Sequence, residues 1–256
     1  MSIELHSVTY RYPGAPSVAV DGVSFRIAKP ELIAICGANG SGKSTLMKLL
    51  SRVLEPSDGT IVMEGREIGA WDPRDYARKV GYLPQETDPL VPMRAIDAVI
   101  TGRAPYLGRF SWESPQDIEL ARLALARCDA SGLADRHLDE MSGGERKRVH
   151  LARVLAGQPQ AILLDEPLAA LDLAHAQQLA RLLRVLVEEE KRTVILISHD
   201  LNWSAAIADR MLVLREARLT ADGSPSAILT PELIHANFGL EADVIERNGR
   251  RWVLPR

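Results

Sequence analysis

The chain has 256 residues, 46% hydrophobic and 25% charged, with a net charge of −3. That is ordinary globular composition for one large domain or a domain with an insertion, and the slightly acidic balance argues against non-specific nucleic-acid binding, which needs a basic surface. Two distant cysteines, Cys36 and Cys128, have no metal-ligand spacing and suit a reduced, cytoplasmic compartment. Residues 1–10 lack the pattern of a signal peptide, and no apolar run approaches the ~20 residues that span a bilayer.

In chain order, Ser7–Pro13 alternates and predicts a half-buried strand. Within Glu31–Gly37 the run Leu32–Cys36 is continuously apolar, as a strand covered on both faces is, and a helix is expected soon after, from Leu46. Asp58–Ile68 reads as a further strand region bracketed by turns. From about Glu86 to Leu155 no convincing strand occurs, only Ala-, Leu- and Arg-rich helical stretches. Two more apolar runs follow, Ala161–Pro167 and Thr193–Asp200. Between them Leu179, Leu182, Leu183, Leu186 and Val187 mark one buried helix face, which makes a strand–helix–strand crossover. The expected fold is α/β around a mainly parallel sheet: 1–85 and 156–220 form the core, 86–155 an inserted helical subdomain, and 221–256 a C-terminal extension. Ligands of such sheets gather at the carboxyl ends of the strands.

Gly37–Thr45, "GANGSGKST", stands between a strand and a helix, the setting a phosphate-binding loop requires. Its backbone (Gly37, Ala38, Asn39, Gly40, Ser41, Gly42) can close around β- and γ-phosphates, with Lys43 as a point charge there and Ser44 and Thr45 completing the loop before the helix. The Ser44 hydroxyl can ligate Mg²⁺. "AILLDEP" brings Asp165 to that metal and offers Glu166 as a base for water; a lone Asp-Glu after a strand is more often a solvated turn, and it is the pairing with the loop that points to a site. "MSGGERKR" opens a helix on two glycines, each costing about 1 kcal/mol against Ala. Such a start makes sense where backbone amides must approach an anion.

Together "GANGSGKST", "LPQ", "MSGGERKR", "ILLDEP", "ALD" and "SHD", in this order, resemble the nucleotide-binding subunit of an ATP-binding cassette transporter. The resemblance implies a P-loop core with an N-terminal antiparallel β subdomain, hydrolysis of ATP with Mg²⁺, and a head-to-tail dimer. In that dimer Ser142, Gly143, Gly144 and Glu145 of one copy would cover the nucleotide on the other. It further implies that Tyr12 stacks on adenine, with Tyr10 as competitor, that Gln85 touches Mg²⁺ and the water, and that His199 contacts the γ-phosphate. Asp172 would cross between the two copies, or serve as a helix N-cap. Departures are Met141 for a common Leu, Lys147 for a common Gln, and Leu168 where Thr or Ser is frequent.

Within that family "TGRAPYLG" (Thr101–Gly108), "SHDLNWSAAIADR" and "ILTPELIHANFGLEADVI" are similar to importers of ferric siderophores, haem and cobalamin. The resemblance then implies separate permease subunits, an indirect periplasmic substrate-binding partner, no nucleic-acid partner, and a peripheral place on the cytoplasmic face of the inner membrane. A ferric siderophore is the favoured cargo. A haem, cobalamin or metal-ion importer, or a soluble cassette ATPase such as one of iron–sulfur cluster assembly, is the alternative.

Overall fold

The computed structural model describes residues 1–85, 92–108, 112–169 and 171–256. It divides into two compact units: Met1–Trp71 with Thr193–Arg256, and Asp72–Arg192. The expected helical insertion, 86–155, falls within the second, and its residues 86–91 and 109–111 lie outside the described ones.

The first unit begins with β1 (Ile3–Tyr10), β2 (Val20–Ile27), β3 (Leu32–Cys36), α1 (Lys43–Leu50), β4 (Asp58–Met63) and β5 (Arg66–Glu67). The second contains α2 (Pro73–Lys79), β6 (Val80–Leu83), α3 (Ala95–Ile100), α4 (Pro115–Arg127), α5 (Gly143–Ala156), β7 (Ala161–Asp165) and α6 (Leu173–Glu188). The chain then completes the first unit with β8 (Thr193–Ile197), α7 (Leu201–Ile207), β9 (Arg210–Arg215), β10 (Arg218–Gly223), α8 (Pro225–Ile228), α9 (Pro231–Phe238), β11 (Ala242–Arg247) and β12 (Arg250–Pro255).

In the first unit β2, β1, β4 and β5 form an antiparallel sheet, with Leu5 facing Phe25 on one side and Ile61 on the other. The strand predicted at Ser7–Pro13 in fact starts at Ile3 and ends at Tyr10. Ser7, at a φ of 48°, shifts its register, and a turn closed by Ala15 N–H donating to the Tyr12 carbonyl ends the alternation. β3 lies between β8 and β9, parallel to both, and β10 runs antiparallel outside β9. Every residue of β3 and β8 is buried, as their unbroken apolar runs require. The C-terminal extension is a structured one: Asn248 and Gly249, both left-handed, turn the β11–β12 hairpin, and the Asn202 amide brackets Val253 by bonds to its N–H and C=O.

In the second unit β6 and β7 pair in parallel, Leu83 beside Leu164. β6 has no counterpart in the sequence reading, because four residues containing a glycine carry no usable periodicity. On α6, Leu179, Leu183, Leu186 and Val187 are buried and Leu182 half-buried, while Asp172 accepts the His175 N–H as N-cap.

The "TGRAPYLG" stretch acts inside this unit. A Cβ on Gly102 would sit 2.0 Å from the Arg153 carbonyl, so only glycine allows this approach to α5. Buried Arg103 donates to Asp117 (2.9 Å) and to the Ala156 carbonyl (3.1 Å), and its guanidinium stacks 3.9 Å from the Tyr106 ring centroid. Tyr106 in turn donates to the Gly157 carbonyl (2.9 Å), so the C-terminal end of α5 is clamped. Hydrogen bonds from Ser114 and Arg103 hold the Asp117 carboxyl down at about 2.

Two outcomes follow from this packing. Arg103→Ala leaves a buried carboxylate without its cation and should lower stability by about 3 kcal/mol in urea denaturation, while Arg103→Met with Asp117→Leu should lose much less. His150, buried on α5, is pushed down from 6.5 to about 4, first by desolvation and then by Arg153, Lys147 and Arg146. Below pH 6.5 the unfolded chain takes up a proton that the folded one refuses, so stability is full above pH 6.5 and falls as the pH drops toward 4. Between pH 7.5 and 5 the loss should be about 1 kcal/mol, allowing for residual solvent screening, and His150→Gln should flatten that part of the melting profile.

Candidate functional site

The loop Gly37–Gly42 leaves the carboxyl end of β3 and enters α1 at Lys43. Gly37 takes a φ of 150°, and a Cβ there would lie 2.2 Å from the Leu214 carbonyl oxygen, so the loop's first turn admits no side chain. The Lys43 side chain folds back over the loop and donates to the Gly37 and Ala38 carbonyls, both at 2.8 Å, with the residue only 6% exposed. Ser41 Oγ is buried in the same loop and has no hydrogen-bond partner among the described residues. A buried cation, an unsatisfied hydroxyl and a glycine-lined turn form a hollow suited to phosphate oxygens. Ser44, half-buried, and buried Thr45 follow on α1.

Tyr12 lies beside this loop, its hydroxyl 3.3 Å from Thr45 Oγ1. Tyr10, 9% exposed, is committed to the sheet and packs T-shaped against Tyr12 at 4.9 Å between ring centroids; Tyr12 is 36% exposed. Of the two, only Tyr12 can offer a stacking surface. His199 is exposed two residues beyond β8, whose Ile197 pairs with Ile35 of β3. It therefore stands at the carboxyl end of the strand next to the loop. Its neighbour Asp200 caps α7 by accepting the Trp203 N–H at 2.8 Å.

A feature not legible in the sequence also lines this side. A cavity of about 550 Å³ runs from Ala38, Asn39 and Gly40 to Arg215, His235 and Phe238, which brings α9 of the C-terminal extension beside the phosphate loop. Arg215 anchors it by donating to the Ala236 carbonyl. At the end of β3, burial pushes the Cys36 thiol up to about 12 and leaves it inert.

The second unit holds the other expected residues. Asp165 is the last residue of β7 and 1% exposed. Glu166 follows in a left-handed conformation, φ 51°, uncommon for a residue with a side chain and a mark of local backbone strain. Gln85 is exposed two residues beyond β6, the strand paired with β7. Gln85 and the Asp165–Glu166 pair thus share one strand-end edge.

α5 starts with a reciprocal cap: Ser142 Oγ accepts the Glu145 N–H at 3.3 Å, and the Glu145 carboxylate accepts the Ser142 N–H at 2.8 Å. Those bonds, chiefly from Ser142 and then Arg136, hold the Glu145 carboxyl down at about 2. The cap uses the amides of Ser142 and Glu145, and those of Gly143 and Gly144 remain at the helix end with its partial positive charge. Glu145 is thereby occupied in shaping this helix start. Asp172 is occupied as well, accepting from the His175 N–H and 2.8 Å from His175 Nδ1, and these bonds lower its pKa.

Lys147 stands one turn along α5, 9% exposed, with Nζ 3.4 Å from the carbonyl oxygens of both Gln85 and Asp165. Desolvation lowers its pKa, and the charges of Asp165 and Glu166 oppose that shift. The sequence marks this position only as an unusual residue. Gln85 and Asp165 in this unit, like Ser44 in the first, carry side-chain oxygens of the kind a hard divalent cation takes. Among the described residues no group of three or more His, Cys, Asp or Glu could hold a metal.

Comparison with known proteins matches residues 20–169 to the ABC transporter family. The petrobactin import ATP-binding protein FpuC of Bacillus anthracis is 33% identical over 96% of this chain and 90% of its own length. The hemin import ATP-binding protein HmuV of Nocardia farcinica is 39% identical over 92% and 82%. Among solved structures, a metal-chelate type ABC transporter in an inward-facing conformation superposes with a TM-score of 0.84 at 27% identity, covering 100% of this chain and 97% of that one. A dimeric ATP-binding cassette, MJ0796 bound to ADP and phosphate, gives 0.78 at 26%, covering 87% and 98%. The chain belongs to the ATP-binding cassette transporter family, as one of its ATP-hydrolysing subunits.

Proposed function

We propose that this chain is the ATPase subunit of an importer for iron chelates, a ferric siderophore or haem, bound peripherally to permease subunits at the cytoplasmic face of the membrane. A periplasmic substrate-binding protein would deliver the cargo. The observation that carries this reading is the extent of similarity: relatives named for petrobactin and hemin import align over 92–96% of the chain, and the metal-chelate transporter over all of it. No helix among the described residues is long and apolar enough to cross a membrane, so a separate permease would form the path.

ATP binding begins with the base on the exposed Tyr12 and the β- and γ-phosphates in the Gly37–Gly42 hollow. Lys43 exchanges its two carbonyl acceptors for phosphate oxygens, and the Ser41 hydroxyl gains the partner it lacks within the chain. Mg²⁺, when bound, would offset phosphate charge, with Ser44, Asp165 and Gln85 to hold it. A second copy of the chain presents the Gly143 and Gly144 amides to the γ-phosphate and completes the site. Glu166 and Gln85 orient the attacking water, Glu166 takes its proton, and His199 holds the γ-phosphate. The bond from the γ-phosphorus to its bridging oxygen breaks as the water oxygen bonds to phosphorus. Positioning and charge therefore do most of the work, and dimer closure and reopening would drive the permease.

Glu166→Gln should lower ATP turnover about 10²- to 10³-fold and accumulate an ATP-bound dimer in size-exclusion chromatography; a variant that stays monomeric with ATP bound speaks against the shared site. Tyr12→Ala should weaken ATP binding about tenfold without loss of folding, whereas Tyr10→Ala should act through stability. Isolation of the tagged chain from detergent-treated membranes should yield a stoichiometric polytopic membrane protein. Recovery of soluble scaffold proteins alone would overturn the importer reading.

A further inference from the structure

Between the glycines that open α5 and its clamped end stands a buried lysine, Lys147, whose hydrogen bonds among the described residues go to two main-chain oxygens. An ammonium out of water is costly and persists only where oxygen meets it. Here one oxygen belongs to Gln85 and the other to Asp165, 3.4 Å away in each case. The Asp165 carbonyl is part of the peptide group that enters Glu166, the residue held at a φ of 51°. A strained backbone keeps its conformation only if its surroundings over-determine it, and a donor on that carbonyl fixes the plane from which the Glu166 side chain departs.

The helix that supplies the donor is itself held at both ends. Ser142 and Glu145 cap its start, and Arg103 and Tyr106 bind the carbonyls of Ala156 and Gly157 at its finish. Lys147 lies three to four residues from Gly143 and Gly144, one helical turn, so it moves with them. We propose that Lys147 is a positioning residue that ties the glycine-bearing start of α5 to the Gln85 and Asp165–Glu166 main chain, so that engagement of one copy's α5 by nucleotide sets the water-orienting groups of that same copy. This rests on the roles proposed above for Gln85, Glu166 and the α5 start. Reach and donor capacity matter for such a link, so an uncharged amide can serve, whereas an apolar side chain of similar length cannot.

The test compares the purified full chain with K147M and K147Q for ATP turnover, KM, Hill coefficient and melting temperature, with E166Q as a separate arm. K147M should lose about tenfold or more in kcat with KM within about twofold, and its Hill coefficient should fall toward 1. K147Q should recover kcat to within about threefold of the unaltered chain. Unchanged kcat in K147M, or a raised KM alone, overturns the proposal. So does a K147Q variant that melts like the unaltered chain yet turns over no faster than K147M, and K147Q alone decides if K147M does not fold. If the unaltered chain hydrolyses no ATP, or E166Q retains full activity, it is the underlying reading of the site that fails.

Discussion

An ammonium almost sealed from solvent must be surrounded by oxygen, and at Lys43 the chain supplies its own: the carbonyls of Gly37 and Ala38. This arrangement imposes much of the first unit's local design. The loop must curl over its own helix, which requires a glycine at Gly37 against the Leu214 carbonyl, and it must leave a strand rigid enough to hold the curl. β3 provides that rigidity because parallel neighbours flank it on both sides and every one of its residues is buried. The same strand-end edge carries His199, one strand over, so the loop and this imidazole are delivered by one sheet.

The second unit handles charge differently. Here the positive element is the start of α5, made of backbone amides, and the negative one is the carboxylate pair after β7. Neither is free to drift. The helix is capped by Ser142 and Glu145 and gripped at its far end by Arg103 and Tyr106. The stretch around Arg103 resembles siderophore and haem import proteins, yet what its residues do here is internal: an ion pair with Asp117 and bonds to the last carbonyls of α5.

Much of the chemistry was readable in the chain because it depends on local residue order. A phosphate loop is a contiguous nonapeptide, and its glycines and lysine act through their own backbone. Asp165 and Glu166 end an apolar run whose length alone indicates a buried strand. Ser142 and Glu145 stand at the spacing of a reciprocal cap. Other parts are less plain in the residue order. β6 is too short for periodicity, while the C-terminal hairpin carries an Asn-Gly turn signal that the alternation around it would have supported. The strand start at Ile3 is hidden from the residue pattern because a register shift at Ser7 breaks the alternation there.

What the sequence determined by itself is therefore the set of reactive groups and the elements that carry them, since both follow from short-range order and hydrophobic period. Tertiary structure alone decided which of two tyrosines is exposed, that α9 lines the phosphate loop, and that Lys147 reaches two carbonyls 62 and 18 residues away. The reason is physical. Burial, ring exposure and a buried ammonium's choice of acceptors depend on what the rest of the chain places nearby, and no spacing along the sequence encodes that.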